Sequence, residues 1–200
     1  MATTLDVVNE CLATLGEVPL NTLAEPHEFK ASAQRYLSRA NRRIQSTGYW
    51  FNTESATLEP APLTGHITLS GDTISWRSGV RARDTLTLEA AQPWLVQRGT
   101  RLYDTRNRTY VHTLPAIGTL IREVPFEDLP PVANDLIAAE AVLRFQSSFD
   151  ADNSKRQELA QAWSLATTAL RAENIRQAKV NLINSNPRLH RIKSKTARYN

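Results

Sequence analysis

Two segments decide the fold. The first is Val8-Asn-Glu-Cys-Leu-Ala-Thr-Leu-Gly-Glu-Val-Pro-Leu-Asn-Thr-Leu23; the second, beyond another helical run, is Ile44-Gln-Ser-Thr-Gly-Tyr-Trp-Phe-Asn52. Leu5, Val8, Leu12 and Leu15 recur at helical spacing and share one face. Gly16 stands where a left-handed C-terminal cap belongs, and Pro19 keeps the helix from resuming at once. A second helix is expected to start near Pro26, a residue the first helical turn tolerates. Phe29, Ala33, Leu37, Ala40 and Ile44 make its apolar face, and Gly48 closes it. Tyr49, Trp50 and Phe51 follow directly. The local physics predicts a helical hairpin delivered onto an aromatic strand.

Working outward, the pattern changes at Glu54. From there to about Glu123, short β-rich runs alternate with turn residues. The predicted strands are Ser55–Leu58, His66–Leu69, Thr73–Trp76, Thr85–Leu88, Trp94–Gln97, Arg101–Tyr103, Thr109–His112 and Thr119–Arg122. Ser70-Gly71-Asp72 and Arg106-Asn107 are the predicted hairpin tips. Pro60, Pro62, Pro93 and Pro115 fall at the edges of these runs, where a missing N–H does little harm. Helix signals return at Pro130-Pro131. Val132, Leu136, Ala139 and Leu143 make one face, widened by Phe145 or Val142. The pattern breaks over 149–153, and Ser154 with Gln157 reads as a capping box. The helix behind it carries Leu159, Trp163, Ala166 and Leu170, fades after Glu173, and cannot continue past Asn186-Pro187.

Neither helical third can bury its apolar stripe alone. Packing one on the other, with the strands inserted between, predicts an α+β chain. Its parts are a discontinuous helical bundle over 1–53 and 124–185, an antiparallel β domain over 54–123, and a basic tail over 186–200.

Composition narrows the class. A chain of 200 residues with 41% hydrophobic content suits one or two globular domains. No apolar run approaches the roughly 20 residues that span a bilayer, so no membrane insertion is expected. The N-terminus lacks the basic and apolar regions of a signal peptide. The lone Cys11 lies within the first amphipathic helix and reads as a small buried side chain, which fits a reducing site of synthesis. After Glu173 come Arg176, Lys179, Arg188, Arg191, Lys193, Lys195 and Arg198, with no acid among them. The first 173 residues carry −3, the remainder +7, so the basic character is assigned to the tail.

A search for chemistry returns structural readings. His27, His66, His112 and His190 are scattered with no i,i+4 pair, and one cysteine cannot build a Cys-rich zinc site. No Gly-x-Ser-x-Gly elbow and no Gly-rich phosphate loop is present. No catalytic residue, metal ligand or cofactor is therefore assigned. Asp150-Ala-Asp152-Asn-Ser154 opens like a calcium loop, but Lys155 and Gln161 stand where glycine and glutamate are needed. A helix N-terminus, where carboxylates suit the dipole, is the preferred reading. Glu123, Glu127 and Asp128 could serve a tail-associated polysaccharide hydrolase, against the plainer reading of a solvated connector.

Arg35, Arg39 and Arg42 share one face of the second helix, with Arg43 beside them. They read as a solvated face or as a stripe facing DNA or a partner. The tail, with Arg188, Leu189, Arg191, Ile192, Lys193, Lys195 and Arg198, is the candidate partner-binding segment. It orders against an acidic neighbour, contacts phosphate directly, or stays a disordered solubilising end. A basic nucleic-acid-binding module remains an alternative class on the same residues.

The first segment also resembles a known family. The residues that carry the likeness are Asn9, Leu12, Leu15, Gly16, Glu17, Pro19, Thr22 and Leu23, then Ile44-Gln45-Ser46, Gly48, Phe51-Asn52 and Glu54. A second block comprises Val96-Gln-Arg-Gly99, Leu102-Tyr-Asp104, and Ile121-Arg122 running into Phe126-Glu-Asp-Leu-Pro130. In order, they resemble the tail tubular protein A family of short-tailed phages. One departure is Tyr49, with Trp50 next, where the family tends to place Trp directly after the glycine. The resemblance implies an α-plus-β subunit of a dodecameric head-to-tail adaptor ring in the virion tail. Its implied partners are further copies of itself, the portal protein for which the tail residues are the candidate grip, a tail nozzle of the tail tubular protein B type, and genomic double-stranded DNA in the channel.

Overall fold

The computed structural model describes residues 1–79, 92–149 and 152–177. Helix α1 (Thr4–Thr14) starts at a reciprocal capping box, Thr3 with Asp6. It ends as the glycine predicts. Gly16 has φ +76°, its N–H donates to Ala13 O at 3.1 Å, and Glu17 N–H donates to Leu12 O at 3.1 Å. These are the two bonds of a Schellman motif. Asn9 then fastens the outgoing loop, donating to Leu20 O (2.9 Å) and accepting from Leu20 N–H (2.8 Å).

Helix α2 (Lys30–Gln45) begins four residues later than Pro26 suggests. Lys30 Nζ reaches back to the carbonyls of Leu23 (3.1 Å) and Glu25 (2.6 Å), and Phe29 N–H is taken by His27 Nδ1 (3.2 Å). The chain turns before it coils. The expected apolar face is borne out, with Ala33, Leu37 and Ala40 buried and Phe29 and Ile44 packed on the same core.

The aromatic strand is corrected. Tyr49–Phe51 is a turn, and β1 (Thr53–Leu58) starts only after it. Gly48, at φ +79°, reverses the chain, and Asn52 Oδ1 caps the turn by accepting from Tyr49 N–H at 2.8 Å. The three rings pack on the helical core rather than on the sheet, Tyr49 and Phe51 stacked 5.7 Å apart.

Strands β1, β2 (Thr73–Ser78) and β5 (Ala116–Arg122) form an antiparallel sheet in the order β1-β5-β2, and β3 (Leu95–Arg98) pairs with β4 (Arg101–Asp104) as a hairpin. Segments 66–69 and 109–112 make isolated bridges only, His66 with Val111, Thr68 with Arg101 and Asp104 with Thr109. Ser70-Gly71-Asp72 turns the chain into β2, and Arg106-Asn107 is a hairpin tip with Arg108 at φ +55°. The Thr85–Leu88 strand lies outside the described residues. Ile67, Leu69, Trp76, Leu95, Leu102, Ala116 and Leu120 form the β core. Gly118 is required there, because a Cβ would come within 2.4 Å of both the Trp76 ring and Arg77 O.

Helix α3 (Pro131–Phe149) is buried on most of its circumference, and its innermost row differs from the predicted one. Ala133, Ile137, Ala141 and Phe145 are fully buried, whereas Val132, Ala139 and Leu143 are only half-buried. A helix with neighbours on several sides carries apolar residues all round, so spacing alone cannot single out the deepest row. Helix α4 (Asn153–Gln177) starts one residue after Asp152, whose carboxylate accepts from Ser154 N–H (2.8 Å) and Lys155 N–H (3.4 Å). Asp152, not Ser154, is the cap, because it immediately precedes the first helical residue and its carboxylate takes the free N–H groups of the first turn. Leu159, Trp163, Ala166 and Leu170 face inward as expected. Val7, Val8, Leu12, Leu37, Phe126, Ile137, Phe145 and Leu170 belong to one core, so the two ends of the chain close over each other. The fold is α+β.

A buried polar clasp joins the end of α2 to the chain leaving β5. Gln45 Nε2 donates to Asn41 Oδ1 (2.7 Å) and Val124 O (2.8 Å), while its Oε1 accepts from Val124 N–H (2.8 Å). Asn52 Nδ2 donates to Gln45 O (2.9 Å) and Arg122 O (3.0 Å). Replacing Gln45 by Ala leaves the half-buried Val124 N–H and C=O without their partner and removes the buried amide from the clasp. The expected loss is about 1–3 kcal/mol, read as a lower urea midpoint at unchanged slope.

Candidate assembly surfaces

Asn134, fully buried on α3, holds the N-terminus against the helical core. Its Oδ1 accepts from Ala2 N–H (2.8 Å), and its Nδ2 donates to Ala2 O and Phe126 O (3.1 Å each). Arg122 ties the sheet to its own edge, donating to Glu54 (2.8 Å), Ser70 Oγ (2.9 Å) and Asp72 (2.9 Å). The Ser70 hydroxyl first, then Arg122, hold the Asp72 carboxyl below its ordinary range. A carboxyl lowered in this way adds stability above its unfolded pKa and loses it as pH falls through the folded value.

The α2 arginines are all exposed, but they do not form one open stripe. Arg42 pairs with Glu123 at 2.9 Å, and Arg43 with the buried Glu140 at 2.7 Å. Arg144 closes on the same Glu140 oxygen from α3. Arg35 lies over the Tyr36 ring, 5.9 Å from its centre. Arg39 makes no ion pair among the described residues. It borders a groove formed by α2, α3 and α4, walled by Tyr36, Leu143, Trp163, Arg43, Arg144 and Arg156, with a volume of about 570 Å³.

The acidic connector is structural. Glu123 takes Arg42, and Glu127 accepts from Thr4 Oγ1 at 3.1 Å beside the start of α1. No arrangement of three or more metal-ligating side chains occurs among the described residues. Cys11 is fully buried, and burial followed by the Glu10 charge pushes its thiol up to about 12, so it is not poised as a nucleophile.

Sequence spacing missed a basic surface on the body. Arg98, Arg101, Arg106 and Arg108 are exposed around the β3–β4 hairpin and its tip. Arg98 lies 3.7 Å from the Tyr103 ring centre, Arg101 5.2 Å from that of Tyr110, and Arg106 5.5 Å from that of Trp94. The nearby Asp104 is buried and occupied by its own turn, accepting from Arg106 N–H and Asn107 N–H at 2.8 Å each. Burial raises its pKa, but the Asn107 and Arg106 bonds outweigh that and lower it overall. Guanidiniums held over aromatic rings are preorganised for an anionic surface. The alternation Arg98, Arg101, Arg106, Arg108 with Tyr103 and Tyr110 was available as the signal. The tail residues 188–198 lie outside the described residues.

Ion pairs, capped turns and charged surfaces make up the candidate chemistry of this α+β chain among the described residues. The chain belongs to the tail tubular protein family, whose family model matches residues 5–190. It is a structural protein of the phage virion tail. No curated protein matches it. No helix among the described residues is long and apolar enough to cross a membrane.

Proposed function

We propose that this protein is the head-to-tail adaptor of a short-tailed phage. Copies close into a dodecameric ring between the portal and a nozzle of the tail tubular protein B type, and genomic double-stranded DNA passes through the opening. The ring catalyses no reaction, and its subunits are made in the host cytoplasm before assembly. In this reading the helical domain comprises 1–53 and 124–185, the β domain 54–123, and the tail 186–200. The observation that carries it is the pair of separate apolar cores on one chain, joined by a buried clasp. A part that joins two different neighbours needs such distinct, firmly coupled faces.

The helical side and the tail face the portal, and the β side supports the nozzle. Motivation comes from the one-sided charge beyond Glu173. Deleting residues after Asn186 should leave helical circular dichroism unchanged and weaken binding to the purified portal. Equal portal binding by the truncated and full-length chains removes the tail from this reading. Light scattering of the full chain with portal tests the ring itself, and a mixture that forms no larger particle contradicts it.

A further inference from the structure

The groove between α2, α3 and α4 carries a charge surplus. Arg43, Arg144 and Arg156 line it, Arg39 lines the adjoining cavity that shares Tyr36, Arg43 and Arg144 with it, and its single acid, Glu140, is shared by Arg43 and Arg144. Arg39 and Arg156 have no ion-pair partner among the described residues. Tyr36 and Trp163 wall the groove, and Leu143 and Ala160 add apolar surface.

A complementary face lies across the same helix. Asp6 and Glu10 sit at i,i+4 on α1 and so point the same way. Asp135 of α3 is near enough to act on Glu10. All three are exposed; Asp6 is engaged by Thr3 and sits near the N-terminal ammonium, whereas Glu10 and Asp135 make no ion pair among the described residues. Desolvation first, then the charges of Asp6 and Asp135, raise the Glu10 pKa. Partial burial of Glu10 and the like charges beside it both disfavour its ionised form. Asp135 and Arg144 are nine residues apart, roughly two and a half turns of α3. The acidic face and the cationic groove therefore lie on opposite sides of that helix.

We infer that subunits join head to tail by charge, the Arg39–Arg43–Arg144–Arg156 groove of one copy seating the Asp6–Glu10–Asp135 face of the next. The inference rests on the ring reading above and names the surfaces that close it. Two different, complementary patches on opposite sides are what a heterologous interface requires. Charge complementarity between them selects the second copy as the occupant. The groove accommodates a row of side chains, and the two acids one turn apart on α1 supply such a row.

The experiment uses the full chain with purified cognate portal, following ring formation by light scattering and electron microscopy. The groove variant is Arg39→Glu with Arg156→Glu, which spares the buried Glu140 pairs. The face variant is Glu10→Lys with Asp135→Lys, which spares the Asp6 cap. Each alone should keep its helical circular dichroism and lose at least about ten-fold in ring yield, since like charges are brought together. Mixing the two variants, or placing all four substitutions in one chain, should restore rings. Wild-type yield from either single variant overturns the inference and leaves the adaptor reading standing. Loss in both variants without restoration by mixing or combination also overturns it. If wild-type protein forms no ring with portal, the adaptor reading fails and this inference fails with it.

Discussion

Phe145→Ala should destabilise the protein by about 3–5 kcal/mol, the range for deleting a buried aromatic ring. Phe145 is fully buried in α3 and is among the largest side chains with no solvent exposure. Its ring meets Tyr36 edge-on at 6.1 Å and Phe149 at 4.8 Å, so α2 and the last turn of α3 both lean on it. The loss combines the transfer of the ring with the cavity left behind, because a core walled by four helices relaxes only in part. A guanidinium titration followed by circular dichroism checks it. A change below about 1.5 kcal/mol would mean that the four helices close readily around the gap. Phe145→Leu should recover most of the difference.

Stranding Glu140 is the second large effect. Glu140 is only 3% exposed, and Arg43 and Arg144 both meet its Oε1. The double variant Arg43→Ala/Arg144→Ala leaves a carboxylate in the interior with no counter-ion. Such a group costs about 3–5 kcal/mol. The individual arginines are about half exposed, so neither single change should reach that size: the remaining guanidinium still covers the same oxygen. Adding Glu140→Leu to the double variant should return most of the stability, since an apolar residue of similar size needs no partner. If the double variant melts like wild type, or the triple variant is no better than the double, the carboxylate is not dependent on the pair.

Much of this architecture could be read from residues that act on their close neighbours. Leu5, Val8, Leu12 and Gly16 announce α1 and its end, because a helical stripe and a left-handed cap are local properties. Leu159, Trp163, Ala166 and Leu170 announce α4 for the same reason. The errors arise where distant parts decide. Tyr49-Trp50-Phe51 has strong β propensity, yet Asn52 and Gly48 bend it into a turn against helices that come from the other end of the chain. The deepest row of α3 is hidden because neighbours on several sides make most of its positions apolar or buried.

The surfaces were less legible than the fold. Gln45, Asn52 and Asn134 are indistinguishable in sequence from surface amides, because their partners lie up to 132 residues away. Glu140 looks like an ordinary helix acid until Arg43 is placed above it. The charge total concealed the hairpin arginines, since −3 over the first 173 residues averages a basic hairpin against acids elsewhere. The helical-wheel argument for Arg35, Arg39 and Arg42 correctly gave exposure on α2, but it could not reveal that Glu123 engages Arg42.

The closing of the two ends also sets the order of events at the ribosome. Helices α1 and α2 are complete by Gln45, but their main partner α3 does not begin until Pro131. At ordinary elongation speeds that gap takes on the order of ten seconds. Throughout it Val8, Leu12, Ala33 and Leu37 have no α3 or α4 to cover them. In a cell making many copies at once, nascent chains would meet each other in this half-finished form. Synonymous codons that slow translation over 54–130 should therefore raise the share of newly made protein that ends in inclusion bodies.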